Sequence, residues 1–125
     1  MKAVLDAGAL LAIDRQDRNF GARLRVLQRQ GTPLRASAAA VAQAWRGGSR
    51  QANLARVLTG VGIAPLAASD SKRIGELLAA ARSADVVDGH VALLADPGDI
   101  ILTSDPTDLA ALIEARGITA SVHAV

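Results

Sequence analysis

Short apolar segments recur along the chain in the manner of strands in an α/β protein. They cover residues 2–5, 34–36, 61–66, 100–103 and 119–124. The segment at 61–66 is the weakest, because Gly62 has no side chain to pack and Pro65 cannot donate a backbone hydrogen bond. An apolar run that passes directly into a helical pattern is typical of a central strand in a parallel sheet. We therefore expect about five strands.

Between these strands the apolar residues recur at intervals of three and four, which predicts amphipathic helices that face a sheet. Five helices are marked by Leu10, Leu11 and Ile13; by Leu24, Val26 and Leu27; by Leu54, Val57 and Leu58 after Ser49; by Ile74, Leu77 and Leu78; and by Leu109, Leu112 and Ile113. Two more are predicted over residues 38–46 and 85–94. Ser37 and Ser69 have side chains preferred at helix N-caps, and Gly31 is a typical terminator.

The alternation of strands and helices predicts the fold class. We expect an α/β three-layer sandwich with a central, mostly parallel sheet and right-handed crossovers. A chain of 125 residues is long enough for one hydrophobic core, so residues 1–125 are predicted to form a single domain. The chain contains neither a G-x-G-x-x-G motif nor a P-loop, which disfavours nucleotide-cofactor folds.

The composition narrows the chemistry that the protein can perform. Cysteine is absent, so disulfides and thiolate metal sites are excluded, and any metal must be bound by oxygen or imidazole ligands. The longest uncharged segment, residues 57–69, contains two glycines and a proline and is too short to span a bilayer. No signal-peptide pattern precedes the first helix. We therefore expect a cytoplasmic protein without a membrane partner.

The small net charge of +2 conceals an uneven distribution of charged residues. Residues 1–62 contain ten basic and three acidic side chains, whereas residues 63–125 contain four basic and nine acidic ones. A basic surface combined with a concentrated acidic site is what a metal-dependent enzyme acting on a polyanion requires. For any single arginine, a solvated helix face is the alternative.

Four aspartates are predicted to meet at the carboxyl edge of the sheet. Asp6 ends the first strand, Asp105 and Asp108 follow the fourth, and Asp88 lies on the helix before the fourth strand. If the first and fourth strands are neighbours, Asp6 and Asp105 reach the same crevice. Several carboxylates in one cleft need a cation, and Mg²⁺ prefers oxygen ligands.

Each of these acids also has an alternative role as a helix cap. Asp105 precedes Pro106, a favoured first helical residue, and Asp108 then stands where an acid favours the helix dipole. Asp88 follows the candidate cap Asp85 by three residues, as Asp108 follows Asp105, and Asp6 directly precedes the first helix. The sequence alone leaves both roles open for each acid.

Three segments resemble the acidic motifs of the PIN domain: VLDAGAL at 4–10, DVVDGHVA at 85–92 and LTSDPTDL at 102–109. The third is the most specific of them. In size and motif spacing the whole chain is similar to the VapC-type toxins of bacterial toxin–antitoxin pairs.

The resemblance implies a metal-dependent endoribonuclease, the toxin of a type II toxin–antitoxin system. It implies that Asp6, Asp88 and Asp105 hold Mg²⁺ or Mn²⁺, with Asp108 as a further acid. It also implies an RNA substrate, a cognate antitoxin and a homodimer. Ser104 or Thr103 would bind water or phosphate through its hydroxyl.

The chain departs from the PIN pattern at one position, where Gln43 stands in place of a glutamate that the family usually carries. An amide can accept a hydrogen bond or orient a water, but it adds no charge and is a poor base. We therefore expect weaker metal binding and reduced activity. The alternative is a catalytically impaired PIN module that binds RNA or a protein without cleavage.

Further residues are predicted to act at the edge of the site or in packing. Arg46 and Arg50 are expected to contact RNA phosphates. Trp45 is expected to pack in the core, with a subunit interface as the alternative. His90 and His123 lack ligand spacing and are expected to be packed or exposed rather than catalytic.

An acidic signalling receiver domain is excluded by two absences. Such a site needs paired acids after the first strand and a lysine after a late strand. Only Asp6 follows the first strand, and Lys72 is the last lysine of the chain.

Overall fold

A computed structural model describes all residues, 1–125. Its strands are β1 (Ala3–Leu5), β2 (Leu34–Ser37), β3 (Val61–Ala64), β4 (Ile100–Thr103) and β5 (Ser121–Ala124). Its helices are α1 (Ala7–Asp14), α2 (Arg18–Arg29), α3 (Ala38–Ala44), α4 (Ala52–Leu58), α5 (Ala68–Ala81), α6 (Val86–Leu94) and α7 (Pro106–Arg116). A short 3₁₀ turn, Ser49–Gln51, precedes α4. None of the helices is both long and apolar enough to cross a lipid bilayer.

The five strands form one sheet in the order β3-β2-β1-β4-β5, and every neighbouring pair is parallel. The central strand is β1, whose Leu5 is in register with Ala36 of β2 on one side and Leu102 of β4 on the other. The chain therefore leaves β1 toward one edge and returns to its other side at β4. Ligands of parallel sheets bind at such a reversal, beyond the carboxyl ends of the strands.

Each face of the sheet is covered by helices. Leu5 and Leu102 point into a core shared with α1 and α2, whereas Val4 and Ile101 point into a core shared with α5, α6 and α7. Because successive side chains of a strand point to opposite faces, one strand serves both cores. The predicted α/β three-layer sandwich with a parallel sheet of about five strands is confirmed.

Most predicted helix boundaries follow from local capping. The Ser37 hydroxyl accepts hydrogen bonds from the backbone N–H groups of Ala39 (3.0 Å) and Ala40 (3.4 Å) at the start of α3. After α2, Gly31 adopts a φ of +72°, a conformation that favours glycine.

The prediction that Ser69 caps a helix is wrong. Helix α5 begins one residue earlier, at Ala68, so Ser69 lies inside its first turn. The carboxylate of Asp70 accepts the N–H of Ala67 at 2.9 Å, which satisfies the donor that precedes the helix. An acid in the first turn therefore replaces the expected serine hydroxyl.

Two boundaries and one packing prediction also differ from expectation. The helix predicted over 38–46 ends at Ala44, since Trp45 is already extended with a ψ of 131°. Strand β3 ends at Ala64, because the following Pro65 has no N–H to donate. The Trp45 side chain is 38% exposed, so the expectation that it packs in the core is wrong.

Candidate metal centre

Asp6 follows β1, and hydrogen bonds of its backbone N–H and of both carboxylate oxygens hold it in place. Its N–H donates to the carbonyl of Leu102 on β4 at 3.1 Å. Its Oδ1 accepts the N–H of Ala9 at 2.7 Å, which caps α1, and its Oδ2 accepts the hydroxyl of Thr103. The residue is only 2% exposed. Both carboxylate oxygens of Asp6 therefore already have partners within the protein.

Burial raises the pKa of Asp6 above its ordinary value, although the hydrogen bonds from Thr103 and Ala9 favour the ionised form and oppose the change. A buried carboxylate that accepts two hydrogen bonds is rigid. Asp6 is thus held in a fixed position at the carboxyl edge of the sheet.

Three other carboxyl groups converge above this position. Oxygens of Asp88, Asp105 and Asp108 all lie within 4.8 Å of one another. Asp88 is buried on α6, Asp105 is half-buried between β4 and α7, and Asp108 is exposed on α7. We call these three residues the carboxylate cluster.

The members of the carboxylate cluster are acids that do not cap helices. Asp85 caps α6 by accepting the N–H of Asp88 at 3.0 Å, which leaves the Asp88 carboxyl free. Asp105 precedes α7 but makes no side-chain capping bond, and its own N–H donates to the Thr103 hydroxyl oxygen at 2.8 Å. The capping alternative therefore describes Asp6 and Asp85, but not Asp105. Asp88 and Asp108 do stand in the first turns of α6 and α7, where an acid favours the helix dipole.

The carboxylate cluster is electrostatically strained without a cation. Burial, followed by repulsion from Asp85, Asp6 and the other two cluster members, raises the pKa of Asp88 to about 7. A hydrogen bond shared with Asp108, followed by burial and charge repulsion, raises the pKa of Asp105. A divalent cation would relieve this repulsion, and an all-oxygen donor set suits Mg²⁺ or Mn²⁺. The residues present therefore fit such an ion.

Ser104 stands at the rim of the carboxylate cluster, where it packs against the start of α1. A Cβ atom on Gly8 would lie only 1.9 Å from the Ser104 Oγ and 2.4 Å from its Cβ, so only glycine fits. Ser104 itself is exposed. Sequence reasoning assigned no role to Gly8, although its position two residues after Asp6 was the available signal.

His90 is packed, as predicted, and joins two elements below the carboxylate cluster. It is 1% exposed, and its Nδ1 lies 2.6 Å from the hydroxyl of Ser37. Because the Ser37 oxygen accepts backbone N–H groups of α3, its hydroxyl hydrogen is available for Nδ1. Burial lowers the pKa of His90, which favours the neutral ring. The pair ties β2 and α3 to α6.

The remaining predicted site residues lie outside the carboxylate cluster. Gln43 is exposed on α3 and forms no hydrogen bond. The guanidinium of Arg46 folds back onto the carbonyls of Ala42 (3.1 Å) and Trp45 (2.7 Å). Arg50 is exposed in the 3₁₀ turn. Their proposed contacts with substrate stay predictions.

Gln51 was not anticipated from the sequence. It is 6% exposed, and its amide oxygen accepts the N–H groups of Arg46 (2.6 Å) and Gly47 (2.9 Å). Its amide nitrogen donates to the Ala44 carbonyl at 2.8 Å. Gln51 therefore fixes the loop between α3 and α4. A glutamine in a polar segment gives no sequence signal of such burial.

Comparison with known proteins shows a likeness in fold. No protein-family model and no curated protein matches the chain. A chain in a solved structure described as "Structure of FitAB bound to IR36 DNA fragment" superposes with a TM-score of 0.65. The alignment covers 98% of this chain and 94% of that chain, at 15% sequence identity. The two chains share a fold over nearly their whole length.

Proposed function

We propose that this protein is a PIN-type, metal-dependent endoribonuclease. The observation that carries the proposal is the carboxylate cluster, in which oxygens of Asp88, Asp105 and Asp108 lie within 4.8 Å at the carboxyl edge of a parallel sheet. No other acidic group of the protein combines this convergence with a raised pKa at a buried member. A concentrated acidic site in a protein whose first 62 residues are strongly basic suits cleavage of a polyanion.

In this function Asp88, Asp105 and Asp108 would hold a Mg²⁺ or Mn²⁺ ion. When bound, the ion supplies Lewis acidity and offsets charge at the reacting phosphate. Asp6, also predicted as a metal ligand, would take part in the same site, because a carboxylate oxygen that accepts one hydrogen bond keeps a second lone pair. Asp6 holds Thr103 at the end of β4, and Thr103 in turn accepts the N–H of Asp105. The Ser104 hydroxyl would donate a hydrogen bond to a phosphate oxygen.

A toxin role in a type II toxin–antitoxin pair is the biological context that we propose. It is supported by the fold likeness to a chain of FitAB bound to a DNA fragment. The proposal includes a cognate antitoxin, a homodimer and a location in the cytoplasm. The exposed Trp45, 38% accessible, is a side chain that such an interface would cover.

A catalytically impaired binding module is the second candidate, and Gln43 is the observation that favours it. Its amide is exposed on α3, forms no hydrogen bond and contributes no charge to the carboxylate cluster. A site without this acid would bind a cation less tightly.

An RNA cleavage assay with and without Mn²⁺, paired with calorimetric titration of Mn²⁺, tests both candidates. The nuclease requires cleavage that is abolished by EDTA and by Asp105→Asn, with weaker Mn²⁺ binding in the variant. If wild type is inactive while Gln43→Glu cleaves, the impaired module is correct. If neither protein binds Mn²⁺, the proposed function is wrong.

A further inference from the structure

A groove of about 790 Å³ lies between α2 and α4, away from the carboxylate cluster. Ile13 and Gln16 line it, at and just beyond the far end of α1, whereas Asp6 precedes the start of that helix. With a rise of 1.5 Å per residue, the eight residues of α1 separate the two places by about 12 Å. No member of the carboxylate cluster lines the groove.

Both walls of the groove carry unpaired positive charge. Arg18 and Arg25 lie on α2 and Arg56 on α4, and all three side chains are exposed. The salt bridges of the protein are made by Lys2 alone, so none of these arginines has an acidic partner. The only acid in the lining is Asp17, whose Oδ1 accepts the N–H of Phe20 at 2.9 Å and caps α2.

Most residues that line the groove are charged or polar. Of its three apolar members, Ile13 and Leu24 are only 5% and 4% exposed, and Val57 is half-buried. Gln16, Gln28 and Thr59 provide exposed amide and hydroxyl groups. An amphipathic peptide needs apolar anchors in a groove, whereas a sugar–phosphate backbone needs cations and polar donors. The lining therefore favours a nucleic-acid backbone over an acidic peptide.

We propose that this groove binds the phosphodiester backbone of a single-stranded nucleic acid. Each guanidinium can form paired hydrogen bonds with a phosphate, and the amides can contact the sugars. The inference rests on the proposed function for one point only, that the bound strand is the RNA substrate extending from the carboxylate cluster. Backbone contacts at the groove require no metal.

The test compares two double variants that remove the same charge. Arg25→Gln/Arg56→Gln removes one cation from each wall of the groove. Lys72→Gln/Arg73→Gln removes two exposed cations from α5, which packs in the core on the other face of the sheet. Binding of a short fluorescein-labelled single-stranded RNA is measured by anisotropy in EDTA over a series of NaCl concentrations.

We expect the groove variant to bind this RNA roughly tenfold more weakly, and its salt slope to fall by about 1.4, since each lost phosphate contact contributes about 0.7 for a single strand. The α5 variant should bind like wild type. Equal losses in both variants would overturn the proposal, because they would reflect net charge alone. Unchanged binding by the groove variant would also overturn it.

Two further ligands identify the occupant. A DNA strand of the same sequence should show the same loss in the groove variant, because the backbone is what the groove contacts. A fluorescein-labelled polyglutamate peptide should bind weakly and without dependence on Arg25 and Arg56. If the peptide responds to these arginines and the nucleic acids do not, the groove is a protein-binding surface and the proposal is wrong.

The result of this binding test can be distinguished from the result of the cleavage assay that tests the proposed function. Asp105→Asn should abolish cleavage while it leaves metal-free RNA binding to the groove intact. If RNA binding depends on the groove arginines but no RNA is cleaved, the groove proposal is correct and the proposed nuclease function is wrong. If RNA is cleaved but its binding does not depend on the groove arginines, the nuclease function is correct and the groove proposal is wrong.

Discussion

The hydroxyl of Thr103 donates a hydrogen bond to Oδ2 of Asp6, although 97 residues separate the two in sequence. Both side chains are almost completely buried. The same hydroxyl oxygen accepts the N–H of Asp105 at 2.8 Å. Thr103 thereby links the acid after β1 to the residue that carries a carboxyl of the carboxylate cluster.

Replacement of Thr103 by valine should destabilise the protein by roughly 1–3 kcal/mol, because it leaves Oδ2 of the buried Asp6 carboxylate without a hydrogen-bond donor. It should also weaken Mn²⁺ binding, since Asp105 loses the acceptor of its N–H. Urea unfolding and Mn²⁺ calorimetry measure the two effects. Thr103→Ser keeps the hydroxyl and is the control. Equal loss of Mn²⁺ affinity in both variants would show that the hydrogen bonds of the hydroxyl do not account for the effect.

Gly8→Ala should disturb the rim of the carboxylate cluster, because the added Cβ would lie 1.9 Å from the Ser104 Oγ. We expect a loss of roughly 1–3 kcal/mol in the free energy of unfolding, the usual cost of overpacking. Removal of the opposing side chain in Gly8→Ala/Ser104→Gly should restore part of that stability. A double-mutant cycle from urea unfolding measures the coupling. Additive effects would mean that the two residues do not clash.

Asp88→Asn should stabilise the metal-free protein near neutral pH. The folded-state pKa of Asp88 is about 7 against 3.8 for an ordinary aspartate, so its ionisation opposes folding as pH rises from about 4 to above 7. Thermal unfolding in EDTA should show the melting temperature of the variant rising above that of wild type across this range. The two should converge below about pH 4, where the carboxyl is protonated in both states. The exposed Glu114→Gln is the control.

Asp99→Asn should destabilise the protein at the amino ends of the strands, where Asp99 directly precedes β4. Asp99 accepts hydrogen bonds from the Lys2 ammonium (2.6 Å), the Lys2 N–H (2.9 Å) and the Asp96 N–H (2.7 Å). Burial alone would raise the pKa of Asp99, but these bonds and the Lys2 charge outweigh it and lower the pKa. The resulting stability is present above about pH 4 and is lost as pH falls through the lowered folded-state pKa.

We expect Asp99→Asn to cost roughly 2–4 kcal/mol at neutral pH in urea unfolding, because the charge of Lys2 is left without its buried partner. Asp96→Asn is the matched control. The Asp96 side chain is 75% exposed, so its bond to Lys2 should contribute under about 1 kcal/mol. If Asp99→Asn and Asp96→Asn lower the free energy of unfolding equally, burial of Asp99 does not strengthen its bond to Lys2.

Features that depend on neighbouring residues were accessible from the sequence. The alternation of strands and helices was predictable because side-chain periodicity reports the secondary structure directly. The cap at Ser37 was predictable because a short polar side chain bonds the N–H groups two and three residues later. The same logic failed at Ser69, where Asp70 one residue further satisfies the helix start.

Features that depend on packing could not be predicted from the sequence in the same way. Burial of Gln51 and exposure of Trp45 run against the usual preferences of glutamine and tryptophan. Gln51 is buried because three backbone groups around the loop after α3 bond its amide. No periodic pattern records such contacts.

The sequence by itself determined the α/β alternation and supplied the acids that follow β1 and β4. Only the tertiary structure decided which carboxyl groups meet. Strand order places β1 beside β4, and there the bonds from Ala9 and Thr103 occupy both oxygens of Asp6. Oxygens of Asp88, Asp105 and Asp108 converge as the cluster because α6 packs against α7, which follows β4. Hydrogen bonds across the fold, which spacing cannot reveal, fix Asp6 in place at the same edge of the sheet.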